Sequence, residues 1–533
     1  MGIGKDIKNQ LAMAANNVDL WYIDWSYLLI LILSSIFVRV ALTKYGKNSS
    51  SPSTPQPPSP LPLPVIGHIH LLGSVLPRSF QTLARRYGPF MRIRMGSSLT
   101  FLVGSSPDVA RQILKPDVNF SSRFELGPVQ YSIYQQGMGF ITSPYSPYYR
   151  FMKKLCTTKL FVGSQLNQFR HIREHEVRDC LRSVSESSVG GDACNLTAKL
   201  TTLMNNLIFR MIMGRRYDKY VDDEVKQIKE LVVEIMELGS KCGIYEVFGP
   251  LKKYDLFGHG KKLRAAMVRY DDVLEKIIAD YEVGDGACRG SGDDLMDILL
   301  KTSRDVDAEV KLTNNHIKQF ILEMLIASID TTSAALQWTM AELINHHRVF
   351  MKLREEIEST VGPSRLMSES DFPNLPYLQA VVKESLRLHT PTPLIFRECT
   401  KDCKINGYKV KAGTKIFLNT YAIMRDPETW QDPDEFVPER FLVNAEGSQL
   451  DQAELMKGQD FGSYLPFGGG RRACIGAMHA SAVIQATVGA LIQCFDWKIK
   501  DGDKVDITVG SGFSGAMARP LVCYPVVHSD PFK

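Results

Sequence analysis

Pro466-Phe467-Gly468-Gly469-Gly470-Arg471-Arg472-Ala473-Cys474-Ile475-Gly476 is the stretch around which this chain is organised, and a long apolar helical pattern follows it. Glycines let the backbone take up positive φ and approach something flat and bulky. A cysteine just ahead of a helix start has its thiolate favoured by the helix dipole. No second Cys or His stands at ligand spacing, so a zinc site is excluded. The residue types alone leave three roles for Cys474: a catalytic nucleophile, a haem thiolate ligand, or a packed structural thiol.

Spacing narrows the choice. Phe467, Gly470, Arg472, Cys474 and Gly476 fit F-x-x-G-x-R-x-C-x-G. The stretch resembles the haem-binding loop of the cytochrome P450 superfamily. That resemblance implies a mainly α fold with small β-sheets (α+β), haem b as cofactor, and Cys474 as the axial ligand of its iron. Phe467, Gly470, Arg472 and Gly476 then belong to the cofactor cradle.

Companion motifs stand upstream in the family's order. Phe320 to Ile344 is a long, largely apolar helical pattern interrupted by Ala327-Ser328-Ile329-Asp330-Thr331-Thr332. A carboxylate among apolar residues needs a reason, because burying it unpaired is costly. Such a cluster can open the helix ladder and seat a water. It resembles the family's oxygen-activation motif, with Thr331 and Asp330 as the catalytic pair and Ser328 where glycine is usual. Glu384-Ser385-Leu386-Arg387 puts two opposite charges on one helix face. With Pro438-Glu439-Arg440-Phe441 further on, it matches the family's E-x-x-R and P-E-R-F pair. The resemblance makes Glu384, Arg387 and Arg440 a buried triad and Arg397 a propionate partner. Tyr149-Arg150-Phe151-Met152-Lys153 matches W-x-x-x-R/K with tyrosine in place of tryptophan, which implies Lys153 and Arg150 as further cofactor contacts.

The rest of the chain supplies context. Lys and Arg total 63 against 58 Asp and Glu, and no basic stripe with interleaved aromatics appears, so nucleic acid is not an expected partner. Ten cysteines are scattered without a framework, which fits reduced thiols. Cys399 and Cys403 form a C-x3-C without a second pair, and read as packed thiols. Trp25 to Leu42 is the most apolar run, slightly short of the roughly 20 residues a spanning helix needs. Asp19 and Asp24 precede it and Arg39, Lys44 and Lys47 end it, so its C-terminal side is expected in the cytosol. Residues 1–24 then form a lumenal segment, 25–43 a transmembrane anchor, 44–64 a proline-rich hinge and 65–533 the catalytic domain. Sequons at Asn48, Asn119 and Asn195 would face the cytosol.

Elsewhere the patterns predict a hairpin from Phe90-Met91-Arg92-Ile93-Arg94-Met95 to Leu99-Thr100-Phe101-Leu102-Val103, and a functional loop over Phe120 to Pro147. Leu200 to Glu282 reads as helical with a break at Gly243 to Gly258. In the resembled family Phe248, Leu251, Leu256 and Phe257 in that break would dip towards the membrane. Gly284 to Gly292 reads as a polar turn.

Pro373-Asn374-Leu375-Pro376-Tyr377-Leu378-Gln379-Ala380 and Gln493-Cys494-Phe495-Asp496-Trp497 resemble plant microsomal members, in the clan of flavonoid and triterpenoid oxidases. The implied activity is a monooxygenase of the endoplasmic reticulum membrane. It takes electrons from NADPH–cytochrome P450 reductase, since the chain has no nicotinamide or flavin fingerprint, and Lys153, Lys154 and Arg471 would meet that partner. A lipophilic terpenoid, favoured as a triterpenoid, is the expected substrate. A flavonoid oxidase or desaturase is the alternative within the fold. A thiolate-haem enzyme that rearranges peroxides, and a non-catalytic membrane haem protein, are the alternatives of other classes.

Overall fold

The computed structural model describes residues 27, 30, 34, 55–96, 99–115, 118–124, 132–134, 139–141, 143–214, 223–243, 247, 254–255, 257–283, 294–442, 462–502, 504–510 and 515–529. Most of the anchor, Asn48, most of the hinge, Phe248, Leu251, Leu256 and the turn 284–292 lie outside the described residues.

Helices dominate. The helix Asn314–Asn345 runs through the main core. Thr313 starts it with a capping box, its hydroxyl accepting from the His316 N–H while His316 reaches back to the Thr313 N–H. From Ala334 to Leu343 this helix is buried on every side, which is why its sequence is apolar all round rather than amphipathic. Helices Arg170–Val189, Leu196–Met213, Pro376–Leu388 and Ala477–Cys494 pack in the same core. The last is long and apolar enough to cross a membrane by composition, yet 67% of it is buried inside the protein; it is the core helix that follows Cys474.

Phe90–Met95 and Leu99–Gly104 form the expected antiparallel hairpin, with Phe90 opposite Gly104. Leu99–Gly104 pairs in parallel with Lys415–Asn419, which pairs antiparallel with Leu394–Glu398. Side chains two apart on a strand share a face. Arg397 therefore points the same way as Ile395, into the protein rather than off the sheet edge, and it is buried.

Two elements differ from the sequence reading. The helix from Leu196 stops at Met213, where Gly214 turns left-handed at φ 65°; an apolar period that resumes after such a glycine hides the break. The helix Asn314–Asn345 is not interrupted at Ala327 to Thr332. Ser328 keeps a better helix former than glycine at that turn, and the Thr331 hydroxyl donates to the Ala327 carbonyl at 2.6 Å without displacing the ladder.

Candidate active site

The Cys474 loop is a string of turns. Gly468 N–H donates to Leu465 O at 3.0 Å, Ala473 N–H to Gly470 O at 3.1 Å and Cys474 N–H to Phe467 O at 3.0 Å. Gly470 sits at φ +68°, where a Cβ would meet the Leu114 carbonyl oxygen at 2.6 Å. Its part is to let the loop press against the helix Pro107–Leu114. Phe467 packs against the main core. Gly476 caps the helix Ala477–Cys494, and its N–H donates to the Cys474 sulfur.

Among the described cysteines Cys474 alone is exposed; the others are buried or half-buried. Its thiol is nevertheless enclosed by protein, and burial raises its pKa, while the Gly476 N–H and the cations Lys153 and Arg123 pull it back. A cysteine whose residue is exposed on such a loop does not read as a packed structural thiol.

The helix Pro147–Leu155 grips this loop from the side. Ser146 caps it by accepting from the Tyr149 N–H. Tyr149 and Lys153, one turn apart, face the loop. The Tyr149 hydroxyl donates to Arg471 O at 2.9 Å, and Lys153 Nζ to Ala473 O at 2.6 Å. Arg150 lies about 100° round the helix from Tyr149 and is exposed, and its field acts on Glu309. The fold thus turns Arg150 away from the cofactor cradle.

Behind the loop three guanidiniums converge. Arg472 donates to the carbonyls of Ser121, Phe140 and Ser143, and its Cζ lies 3.6 Å over the Tyr149 ring. That ring stacks on Phe140 at 5.2 Å. Arg397 donates to Phe396 O at 2.8 Å and Gly469 O at 3.2 Å. Arg123 donates to Ile141 O at 3.3 Å, and its Nε is buried with no partner. Every one of these hydrogen bonds goes to a backbone carbonyl, and among the described residues none of the three forms an ion pair. Burial first, then Arg123 and Arg472, pushes Arg397 well below its ordinary value; burial brings Arg472 down to about 10. The buried carboxylate of Glu323 opposes that lowering at Arg123 and Arg472. Sequence reasoning missed Arg123. Its only signal was a charged residue in Ser121-Ser122-Arg123-Phe124 at the start of a long loop, with no spacing that ties it to Cys474.

The charged triad is a different kind of site. Arg387 forks onto Glu384 at 2.7 and 2.8 Å, and Arg440 Nε reaches the same carboxylate at 3.0 Å. Val437 N–H adds a fourth donor at 3.0 Å. The remaining Arg387 donors go to the carbonyls of Met424, Pro433 and Glu435. Every charged group here has an ionic partner.

On the helix Asn314–Asn345 Asp330 and Thr331 sit together. Burial raises the Asp330 carboxyl above the ordinary carboxylate range. Phe257 is exposed. Asn195 spends its side chain as a helix cap, accepting from the Ala198 N–H at 3.0 Å.

Three buried cations with no carboxylate among them, one holding an orphaned Nε, are a receptor for a dianion. With the Cys474 thiol on the adjoining loop, these donors fit a haem and its two propionates.

Comparison with known proteins agrees. The cytochrome P450 family model matches residues 57–523, and the chain belongs to that family. It is a cytochrome P450 monooxygenase with haem as cofactor. The beta-amyrin 24-hydroxylase of Glycine max is 40% identical over 508 residues, covering 94% of this chain and 97% of that one. The 3,9-dihydroxypterocarpan 6A-monooxygenase of Glycine max is 37% identical over 519 residues, covering 95% and 99%. A solved zebra fish cytochrome P450 with progesterone superposes with a TM-score of 0.71 at 22% identity, covering 84% and 99%.

Proposed function

We propose that this plant monooxygenase oxidises a lipophilic specialised metabolite, and that the substrate is a triterpenoid. The observation that carries the substrate class is the likeness to a beta-amyrin hydroxylase, 40% identical along 94% of the chain. The likeness to a pterocarpan monooxygenase, 37% identical, favours flavonoid-type oxidation as a second reading.

Residue roles follow from the geometry. Bound in this cradle, haem supplies thiolate-ligated iron for dioxygen chemistry. Cys474 Sγ would hold the haem iron, and the Gly476 N–H with the cations Lys153 and Arg123 would favour its thiolate form. Arg123, Arg397 and Arg472 neutralise the propionates with charge-assisted bonds. Asp330 and Thr331, adjacent on the helix, would relay protons, the Thr331 hydroxyl once it leaves the Ala327 carbonyl. Tyr149 and Lys153 fix the loop backbone on either side of Arg472.

Residues 25–43 anchor the enzyme in the endoplasmic reticulum with the catalytic body, from 65 onward, on the cytosolic side of the hinge 44–64. NADPH–cytochrome P450 reductase supplies electrons. Lys154 and Arg471 are exposed beside the Cys474 loop and suit an acidic partner; unchanged turnover after charge reversal at both would remove that docking site.

The test is expression in reductase-bearing microsomes with beta-amyrin, other triterpenoids and a flavonoid panel. Mass spectrometry should find a triterpenoid that has gained oxygen in an NADPH-dependent way. Products from flavonoids alone would overturn the triterpenoid reading.

A further inference from the structure

Cys399 and Cys403 lie where the strand Leu394–Glu398 gives way to the small hairpin Cys403–Ile405 and Tyr408–Val410. The chain folds back so that the two sulfurs meet at 3.7 Å. The turn is pinned on both sides: Cys399 N–H donates to Thr414 O, Gly413 N–H to Cys399 O, and Ala412 N–H to the Asp402 carboxylate. Cys399 is fully buried and Cys403 half-buried. Cys194 and Cys523 make the opposite case. They face each other across an antiparallel pair, but both are sealed in the core and the Cys523 thiol is turned to the Cys194 carbonyl at 3.9 Å.

We propose that Cys399 and Cys403 are an oxidisable dithiol that closes to an intramolecular disulfide by exchange with an anionic small-molecule disulfide of the oxidised-glutathione type. Exposed Lys401 and Lys411 flank the turn, and Lys404 and Lys409 pair on the hairpin beside it; this local positive charge matches the carboxylates of such a reagent. Burial and the bond to Cys403 push the Cys399 thiol up to about 12, so Cys403 is the sulfur that attacks first. Its thiolate takes one sulfur of the reagent and releases one glutathione thiolate. That thiolate accepts the Cys399 proton, and Cys399 Sγ then attacks Cys403 Sγ and expels the second glutathione. Two protein thiols are oxidised, and one disulfide is reduced to two thiols. The sulfurs must close to about 2.05 Å, which rotation of the half-buried Cys403 side chain allows. The bond would fasten the hairpin to the strand whose Arg397 holds the Gly469 carbonyl of the Cys474 loop.

Trypsin provides the test, because it cuts after Arg397, Lys401 and Lys404. Full-length haem-loaded enzyme in phospholipid nanodiscs is incubated with oxidised glutathione, blocked with N-ethylmaleimide under denaturing conditions and digested. The expected product is Glu398–Lys401 joined to Asp402–Lys404, separated by dithiothreitol, with Cys194 and Cys523 alkylated. Stable glutathione on Cys403 with Cys399 alkylated would overturn the proposal, as would alkylation of both after saturating oxidant. Cys403→Ser should leave Cys399 fully alkylated, and Cys399→Ser should trap glutathione on Cys403. An unchanged carbon monoxide difference spectrum certifies the fold of each variant.

Discussion

Two of the groups of buried charge in this protein are built on opposite plans. Around Glu384 the ions answer each other: Arg387 and Glu384 are both 0% exposed, and Arg440 completes the carboxylate's shell. Around the Cys474 loop Arg123, Arg397 and Arg472 crowd together, and their hydrogen bonds among the described residues go to backbone carbonyls alone. A closed network specifies a fold and needs nothing further. An open one carries a desolvation cost in the ligand-free chain and is relieved by a ligand of opposite charge. The difference separates ion-paired arginines from arginines that, among the described residues, meet no carboxylate, without reference to any motif.

Several substitutions set the two plans against each other. The largest effect is expected from Cys474→Ala, which should abolish the thiolate band in the carbon monoxide difference spectrum. Glu384→Ala leaves Arg387 buried and unmatched, and should cost about 3–5 kcal/mol with or without haem, read from denaturant unfolding. Arg397→Met should part the two measurements. Haem transfer to a scavenger such as apomyoglobin should become roughly ten- to a hundredfold faster, from losing charge-assisted bonds, while the haem-free protein holds or gains stability. Equal losses with and without haem would break the comparison.

His479 tests burial without any charge partner. It is 5% exposed, and neither ring nitrogen has a hydrogen-bond partner. Burial, with Arg173 adding to it, lowers its pKa from 6.5 to about 3. Below pH 6.5 the unfolded chain takes up a proton that the folded one refuses, so stability falls as pH drops towards 3, by up to about 1.4 kcal/mol per pH unit. His479→Leu should flatten that limb, measured as unfolding midpoints at pH 7 and pH 5. The smallest effect belongs to Tyr149→Phe. It removes the bond to Arg471 O but keeps the ring under Arg472, and should cost about 1 kcal/mol.

Much of the site was legible along the chain because its parts are local. The spacing from Phe467 to Gly476 is spacing within one loop, and Glu384 and Arg387 share a helix turn. The hairpin at Phe90 to Gly104 follows from alternation and a turn. Less legible were features that depend on what a helix meets. Arg150 and Lys153 look equivalent in sequence, yet Arg150 stands about 100° round the helix from Tyr149 and is exposed, while Lys153, one turn on from Tyr149, reaches the Ala473 carbonyl. Thr331 and Asp330 sit in an unbroken helix, since a hydroxyl can bond back to a carbonyl without opening the ladder.

What the sequence alone determined was the class of chemistry: a thiol on a glycine loop, an acid and threonine in an apolar helix, and a carboxylate placed to gather two arginines. Each rests on short-range spacing, which a chain carries in any fold. Only the tertiary structure decided that Arg123 joins Arg397 and Arg472 behind Cys474, and that Cys399 meets Cys403 at 3.7 Å. The arginines come from a loop, a strand and the cysteine loop itself, far apart in sequence. Their shared burial, and with it their need for an anion, exists only once those elements pack.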